Sequence, residues 1–393
     1  AFNHLHIFCD PEPDAASSFK ERKRLFEAVS GWGDYDEKKL SQGGRIYNRS
    51  DKSLTLTPEI MKRFDIQSEK VPPSELMKAM LKARTDLLWF GGIGTYIKAK
   101  EETHEMVGDK ANDAIRINAE EVRAHVLGEG ANLAVTQAGR INYAEKGGKV
   151  NADFIDNAGG VDSSDHEVNI KILMTEVMSH DKHKMTLKKR DQLLEKMTDD
   201  IAHLVLRNNY QQAQAISLME RTAAKDLEMH ADFIDDLERD HGISREVEGL
   251  PSREEIEKRL SEGHGLTRPE LSIIQAYSKI LFSKDMLKTD IPDMPEMQDY
   301  WLLAYFPERL RDKYREEILS HRLRREIVAT TLASSLVNRM GPTFIKKIMN
   351  KTGASCGDVA LAYLVVREAF DIRSFWDDIE KQDGKVPAEV QLR

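Results

Sequence analysis

Three short segments in the first half of the chain gather residue types suited to holding a nucleotide and a small acid. They are "FGGIGTY" (Phe90–Tyr96), "GEGANLAVTQAGR" (Gly128–Arg140) and "DNAGGVDSSDHEVNIK" (Asp156–Lys171). In the first, Gly91, Gly92 and Gly94 let backbone N–H groups come close to a ligand at the carboxyl end of a parallel sheet, although a tight turn would use the same glycines. The segment is neither GxGxxG nor a Walker loop. In the second, Asn132 offers a donor and an acceptor, which suits a ribose or a carboxamide; asparagine also tolerates the left-handed conformation of a turn. In the third, Asn157 is expected at a strand end, Gly159 and Gly160 in a turn, and Ser163 or Ser164 as the cap of a long helix. Helix N-termini favour carboxylates and phosphates, and a capping serine with no ligand is the competing reading. A fourth element, "HLHIFCDPEPD" (His4–Asp14), reads as a strand ending at Asp10 and stopped by Pro11. In a dinucleotide fold an acid at that place accepts from a ribose 2′-OH and favours NAD over its phosphorylated form. His4 and His6 would share a strand face but have no clear third ligand, so no metal is expected.

The elements that position these residues follow two patterns. Up to about residue 160, strand-like runs at 4–9, 86–90, 125–127 and 150–155 alternate with helix candidates at 17–29, 58–64, 74–83 and 136–146. This alternation is expected of a parallel sheet with helices on its faces. Thr136 is placed as an N-cap, with Gly147 and Gly148 ending that helix. The stretch Gly31 to Leu56 has turn chemistry, lacks a sustained period, and is long for a βα connection, so it reads as an insertion. Ala99 to Asp113 reads as a polar excursion. After Ser163 apolar residues recur at three and four, which predicts an all-α second half. Within it, Thr267 and Glu270 form a capping box with Pro269 in the first turn.

Composition excludes some classes of function. With 40% hydrophobic and 32% charged residues the chain can build proper cores, and its net charge of −9 gives no reason to expect nucleic acid or an anionic membrane as partner. The basic runs Lys182–Arg190 and His321–Arg325 read as solvated helix faces. Cys9 and Cys356 stand far apart, in no CxxC arrangement, which fits a reducing cytoplasm. No apolar run approaches the roughly 20 residues of a spanning helix, so no membrane partner is expected. A strand within a few residues of Ala1 reads as the start of a fragment cut from something longer.

Taken in order, the three glycine and asparagine turns resemble the second half of the nucleotide-binding domain of amino-acid dehydrogenases. "GEGANLAVTQAG" is similar to the E-G-A-N segment and Thr-rich helix start of glutamate dehydrogenases, and "NAGGVDSSDHE" to their N-A-G-G-V-x-x-S-x-x-E. "HIFCDPEPD", the Trp32–Tyr47 insertion and "HRLRREIVATTLASSLVNRMG" (His321–Gly341) resemble the large NAD-specific enzymes of bacteria rather than the small hexameric ones. The resemblance covers essentially the whole chain.

It implies an α/β Rossmann-like parallel sheet over 1–162, incomplete on its N-terminal side and carrying the insertion at about 31–56, followed by an all-α helical domain over 163–393. It implies NAD as cofactor, with Asn132 at the nicotinamide ribose, Asn157 at the carboxamide, Asp10 at the adenosine ribose, and Gly91, Gly92, Gly94 and Thr95 against the cofactor. Ser164 would take the side-chain carboxylate of glutamate, with Val161 packing nearby, although Asp162 and Asp165 flank it with like charge. The implied reaction is oxidative deamination of L-glutamate to 2-oxoglutarate and ammonia, in an assembly of identical chains. The family's pyrophosphate loop and its catalytic Lys and Asp lie upstream of the strand that opens this sequence. No catalytic residue is therefore expected within it, and the 393 residues alone are expected to be inactive. Branched-chain or aromatic amino-acid dehydrogenases share similar turns, and the second half also reads as a non-catalytic helical oligomerisation module.

Overall fold

A computed structural model describes residues 1–180 and 184–392, so the start of the basic run at Lys182 lies outside the described residues. The chain forms two compact units, Ala1–Asp153 and Phe154–Arg393.

The first unit is mixed α/β with small sheets. Strand β1 (His6–Cys9) is followed by α1 (Ala15–Glu27), which Asp14 caps by accepting from the Ser17 N–H. The stretch read as an insertion then supplies β2 (Arg45–Asn48), which pairs antiparallel with β1, His6 opposite Asn48 and Cys9 opposite Arg45. The first strand is thus in a hairpin-like pair rather than in an all-parallel sheet. Four residues are too few to show a period, and the pairing is carried by backbone groups that composition does not reveal. Within the same stretch Trp32 and Tyr35 pack on Phe8, with ring centroids 4.6 and 4.9 Å away.

A short antiparallel pair, β3 (Leu54–Thr55) with β4 (Lys70–Val71), flanks α2 (Pro58–Phe64), and α3 (Pro73–Leu81) leads into β5 (Thr85–Phe90). Next come β6 (Ile97–Lys98), α4 (His104–Val107), β7 (Ile117–Asn118) and β8 (Ala124–Glu129). Strand β5 pairs parallel with β8, Leu88 opposite Leu127, and β6 pairs parallel with β7, Lys98 opposite Asn118. Helix α5 (Gln137–Glu145) starts at the expected cap, where the Thr136 hydroxyl accepts from the Gly139 N–H at 3.0 Å. Its Tyr143 joins Phe90, Ile97, Leu127 and Val135 in the core under these strands.

The expected strand at 150–155 is absent. Lys149 makes a single parallel bridge to Val126, and the chain turns at once into α6 (Asp153–Asp156). The reason is long-range: Asp153 is buried and its carboxylate is drawn to the backbone of Leu133 and to Arg140.

The second unit is helical. Helix α7 (Ala158–Ser179) is followed by α8 (Leu187–Lys196), α9 (Thr198–Thr222), α10 (Leu227–His241), α11 (Arg245–Glu248), α12 (Arg253–Glu262) and α13 (Arg268–Met286). The capping box at Thr267 is present: Glu270 accepts from the Thr267 N–H at 2.6 Å and also takes Arg259 at 2.8 Å. Longer helices at Arg324–Met340 and Cys356–Ala369 complete a core in which Phe306, Tyr314, Leu332 and Leu336 have no exposed surface. Burying each such side chain stabilises by roughly 1.5–3 kcal/mol. The run His321–Arg325 is not a solvated face. His321 is buried with Nε2 at 3.1 Å from the Asn169 carbonyl, and Arg325 donates to the Leu287 and Thr289 carbonyls and pairs with Asp293. Among the described residues no helix is long and apolar enough to cross a membrane, and no three His, Cys, Asp or Glu side chains converge as a metal site.

Candidate functional site

In the first unit the structure brings two of the expected turns side by side. The turn after β5 and the turn after β8 are stitched by backbone bonds: Ala131 N–H to the Phe90 carbonyl (3.0 Å), Tyr96 N–H to that of Ala134 (2.8 Å), and Thr136 N–H to that of Ile97 (3.0 Å). Gly91 and Gly92 are exposed at the tip, and Gly94 adopts φ +123, a left-handed conformation that only glycine takes without strain. Thr95 is buried and held from both sides. Its N–H donates to Asp109 at 2.7 Å and its carbonyl accepts from Arg116 at 2.9 Å. The polar excursion therefore has a structural task. Arg116, also paired with Asp113 at 2.5 Å, clamps it against the glycine turn. Burial works to raise the Asp109 carboxyl, but hydrogen bonds from Asn112 and Thr95 and the charge of Arg116 hold it below the ordinary value.

Asn132 is exposed at the tip of the second turn, next to Leu133 in the left-handed region at φ +62. Three charged side chains that the sequence reading passed over set its backbone. Glu129 accepts from the Val135 N–H at 3.0 Å and Asp153 from the Leu133 N–H at 2.9 Å. Arg140 bonds Glu129 at 2.6 and 2.9 Å and lies 3.2 Å from Asp153. All three are buried, Glu129 completely. Burial pushes the Glu129 carboxyl upward, with the Arg140 hydrogen bonds pulling against it. The Trp89 indole lies across Gly128 and Gly130, where any Cβ would overlap the ring, so these two glycines admit an aromatic side chain.

Asp10 stands directly after β1, as expected. One carboxylate oxygen accepts from both the N–H (2.9 Å) and the hydroxyl of Ser41, and the other is buried with no hydrogen-bond partner.

In the second unit the third segment departs from its expected geometry. Gly159 and Gly160 are helical, α7 having already begun at Ala158 with Asn157 at its N-cap. Ser163 and Ser164 are therefore interior residues whose hydroxyls donate back to the Gly159 and Gly160 carbonyls at 2.7 and 3.1 Å, and neither is a cap. A Cβ at Gly159 would sit 3.2 Å from Asn209 Nδ2 on α9, a tight contact that a small shift of that amide would relieve. Val161 (73% exposed) and the exposed Ser164 lie three residues apart on one bare face of α7.

Beside them a partly exposed polar cluster surrounds the buried His166, and periodicity could not reveal it. Asp162 accepts from Asn208 at 2.8 Å and lies 3.8 Å from His166, while Asp165 accepts from the Tyr305 hydroxyl at 2.6 Å. His166 stacks on Tyr305 with ring centroids 4.4 Å apart, and both its nitrogens are buried without a hydrogen-bond partner. Burial raises the Asp162 carboxyl, lowers the His166 imidazolium, and brings the Lys279 ammonium down to about 7, the last against the pull of Asp162. The negative charge expected around Ser164 is thus tempered, because each aspartate has a donor of its own.

Comparison with known proteins gives a consistent result. Residues 1–219 match the family described as bacterial NAD-glutamate dehydrogenase, catalytic domain, and residues 263–393 match glutamate dehydrogenase, C-terminal. Among similar proteins, the NAD-specific glutamate dehydrogenase of Pseudomonas aeruginosa is 50% identical over 396 residues and that of Halomonas elongata 49% over 392, each match covering 100% of this chain. The Mycobacterium tuberculosis enzyme of the same name is 43% identical over 384 residues, 96% of the chain. The chain spans about a quarter (23–24%) of the length of these relatives.

Proposed function

Since the chain belongs to the bacterial NAD-glutamate dehydrogenase family, we propose that it is part of an enzyme that oxidatively deaminates L-glutamate to 2-oxoglutarate and ammonia. The observation that carries this reading is the similarity to NAD-specific enzymes along the entire chain. NAD, when bound, accepts the hydride from the substrate Cα.

The residues of the first unit fit such a cofactor. The paired turns offer the exposed backbone of Gly91 and Gly92 and the Asn132 amide on a tip held by buried charges, a rigid arrangement able to orient a ribose without first being ordered. Gly94 and Thr95 shape that turn. Asp10 keeps one carboxylate oxygen unpaired for a ribose hydroxyl, and the Ser41 segment has to shift for a ligand to reach it. Asn157 is assigned to the carboxamide.

On α7, Ser164 is assigned to the side-chain carboxylate of glutamate and Val161 to its methylene groups. A hydroxyl now bonded to the Gly160 carbonyl can rotate to donate to a carboxylate, at the loss of one weak intrahelical bond. The Lys that polarises the carbonyl and the Asp that serves as base are assigned to residues outside these 393. The enzyme is further proposed to work in the cytoplasm as an assembly of identical chains.

Ser164→Ala in the full-length enzyme tests the substrate assignment. A ligand that holds ground and transition states alike is expected to raise KM for glutamate about tenfold while leaving kcat within a factor of about two. Unchanged glutamate kinetics would overturn the assignment.

A further inference from the structure

The first unit holds a cavity of about 380 Å³ whose lining, Lys78, Lys82 and Lys98 together with Glu102, Asn118 and Glu121 among others, includes no residue of the glycine turns themselves. That volume lies in the range of small-molecule sites. Its charges are unevenly matched. Lys82 is paired with Glu121, and the buried Arg116 is taken by Asp113 and Asp109. Glu102 is occupied by neutral donors, the Ala99 N–H at 2.7 Å and the Thr136 hydroxyl at 2.5 Å. Among the described residues, neither Lys78 nor Lys98 has a carboxylate within ion-pair distance.

Lys98 is the more telling of the two. It is 8% exposed, on β6 opposite Asn118, and its ammonium donates to the Asn118 side chain at 2.7 Å and to the Ala99 carbonyl at 3.1 Å. An ammonium has three N–H donors, so one remains unused. A buried charge without a counter-ion is costly, and an anion bound beside it would offset that cost. Lys78 and Lys82, one helical turn apart at the end of α3, present a second and third ammonium to the same space.

We propose that this cavity is a binding site for a phosphate group, carried by a small phosphorylated metabolite or present as free phosphate, and that it uses none of the residues assigned to the cofactor and substrate. A phosphate near −2 matches the two unpaired ammonium groups, and its oxygens accept from Lys98, Lys78 and the Asn118 region at once. The cavity has room beyond one phosphate for a short organic body.

Binding of inorganic phosphate and of glycerol phosphate to the full-length protein tests this by isothermal titration calorimetry at low ionic strength, with wild type, Lys78→Gln and Lys98→Met. Lys78→Gln alters a side chain that makes no hydrogen bond or ion pair in the structure, so it keeps the test valid should Lys98→Met fail to fold. The proposal expects saturable binding of at least one probe by wild type. It further expects affinity at least fivefold weaker in Lys78→Gln, a larger loss in folded Lys98→Met, and unchanged NAD affinity in both. Tighter binding of glycerol phosphate would assign a phosphate ester, and equal binding of the two probes free phosphate. No saturable binding in wild type, the same affinity in the folded variants, or displacement of either probe by NAD would overturn it.

Discussion

Arg140→Met isolates what holds the Asn132 turn. The guanidinium lies against two buried carboxylates, Glu129 with no exposed surface and Asp153 at 7%, which accept the Val135 and Leu133 N–H groups. Methionine keeps the apolar stem and removes the charge, leaving two buried carboxylates side by side. Removing one partner of a buried pair costs about 3–5 kcal/mol. Part of that is avoided if the turn opens and lets water reach Glu129 and Asp153, so the loss is expected first as local opening of residues 130–136. Since about 1.4 kcal/mol is a factor of ten, amide exchange at Leu133 and Val135 is expected to accelerate by about 10² or more. Hydrogen exchange with mass spectrometry on the full-length protein reads this directly. The double variant Arg140→Met with Glu129→Met removes one stranded charge but orphans the Val135 N–H, worth about 1–3 kcal/mol, and should fall between wild type and the single variant. Exchange in the 130–136 segment within threefold of wild type for the single variant would refute the argument that the charge cluster, rather than apolar packing, fixes the turn.

Other predictions concern pH and the substrate face. His230 is 3% exposed among apolar neighbours on α10, and burial lowers its imidazolium to about 4. The unfolded chain takes up that proton near 6.5 and the folded chain only near 4, so stability falls as pH drops through this window, by at most about 3 kcal/mol. His230→Leu is expected to remove that slope, as measured by urea unfolding at pH 7 and 4.5; a slope unchanged by the substitution would show that other groups cause it. Ser164→Ala should act on KM alone, so an equal loss in kcat would place Ser164 at the reacting centre instead.

Much of the fold was legible in the sequence where local chemistry decides it. The caps at Thr136 and Thr267, the strands β1, β5 and β8, and the change to helical periodicity are all local signals, and they appear in the structure. Where distant residues decide, the reading failed. "NADFID" has the composition of a strand, yet Asp153 is recruited by Leu133 and Arg140 and the segment becomes helical. The glycine pair before "VDSS" reads as a turn, but both glycines lie inside α7, with Gly159 facing Asn209 of α9, which cannot be inferred without knowing that α9 lies there. "HRLRR" looks solvated until its partners on other helices are known. The same limit applies to the site. Asn132 is proposed from its place in a motif, whereas Glu129, Arg140 and Asp153, which hold the backbone of that turn, meet only in the fold and carry no periodic signal.

The central claim is tested most directly by following NAD reduction by the purified full-length protein with L-glutamate, L-leucine and L-phenylalanine as substrates. The account predicts reduction that depends on glutamate and exceeds that with the other two at least a hundredfold in kcat/KM, with no activity from the 393 residues alone. A full-length protein that reduces NAD equally well with leucine or phenylalanine, or not at all with glutamate, would contradict it.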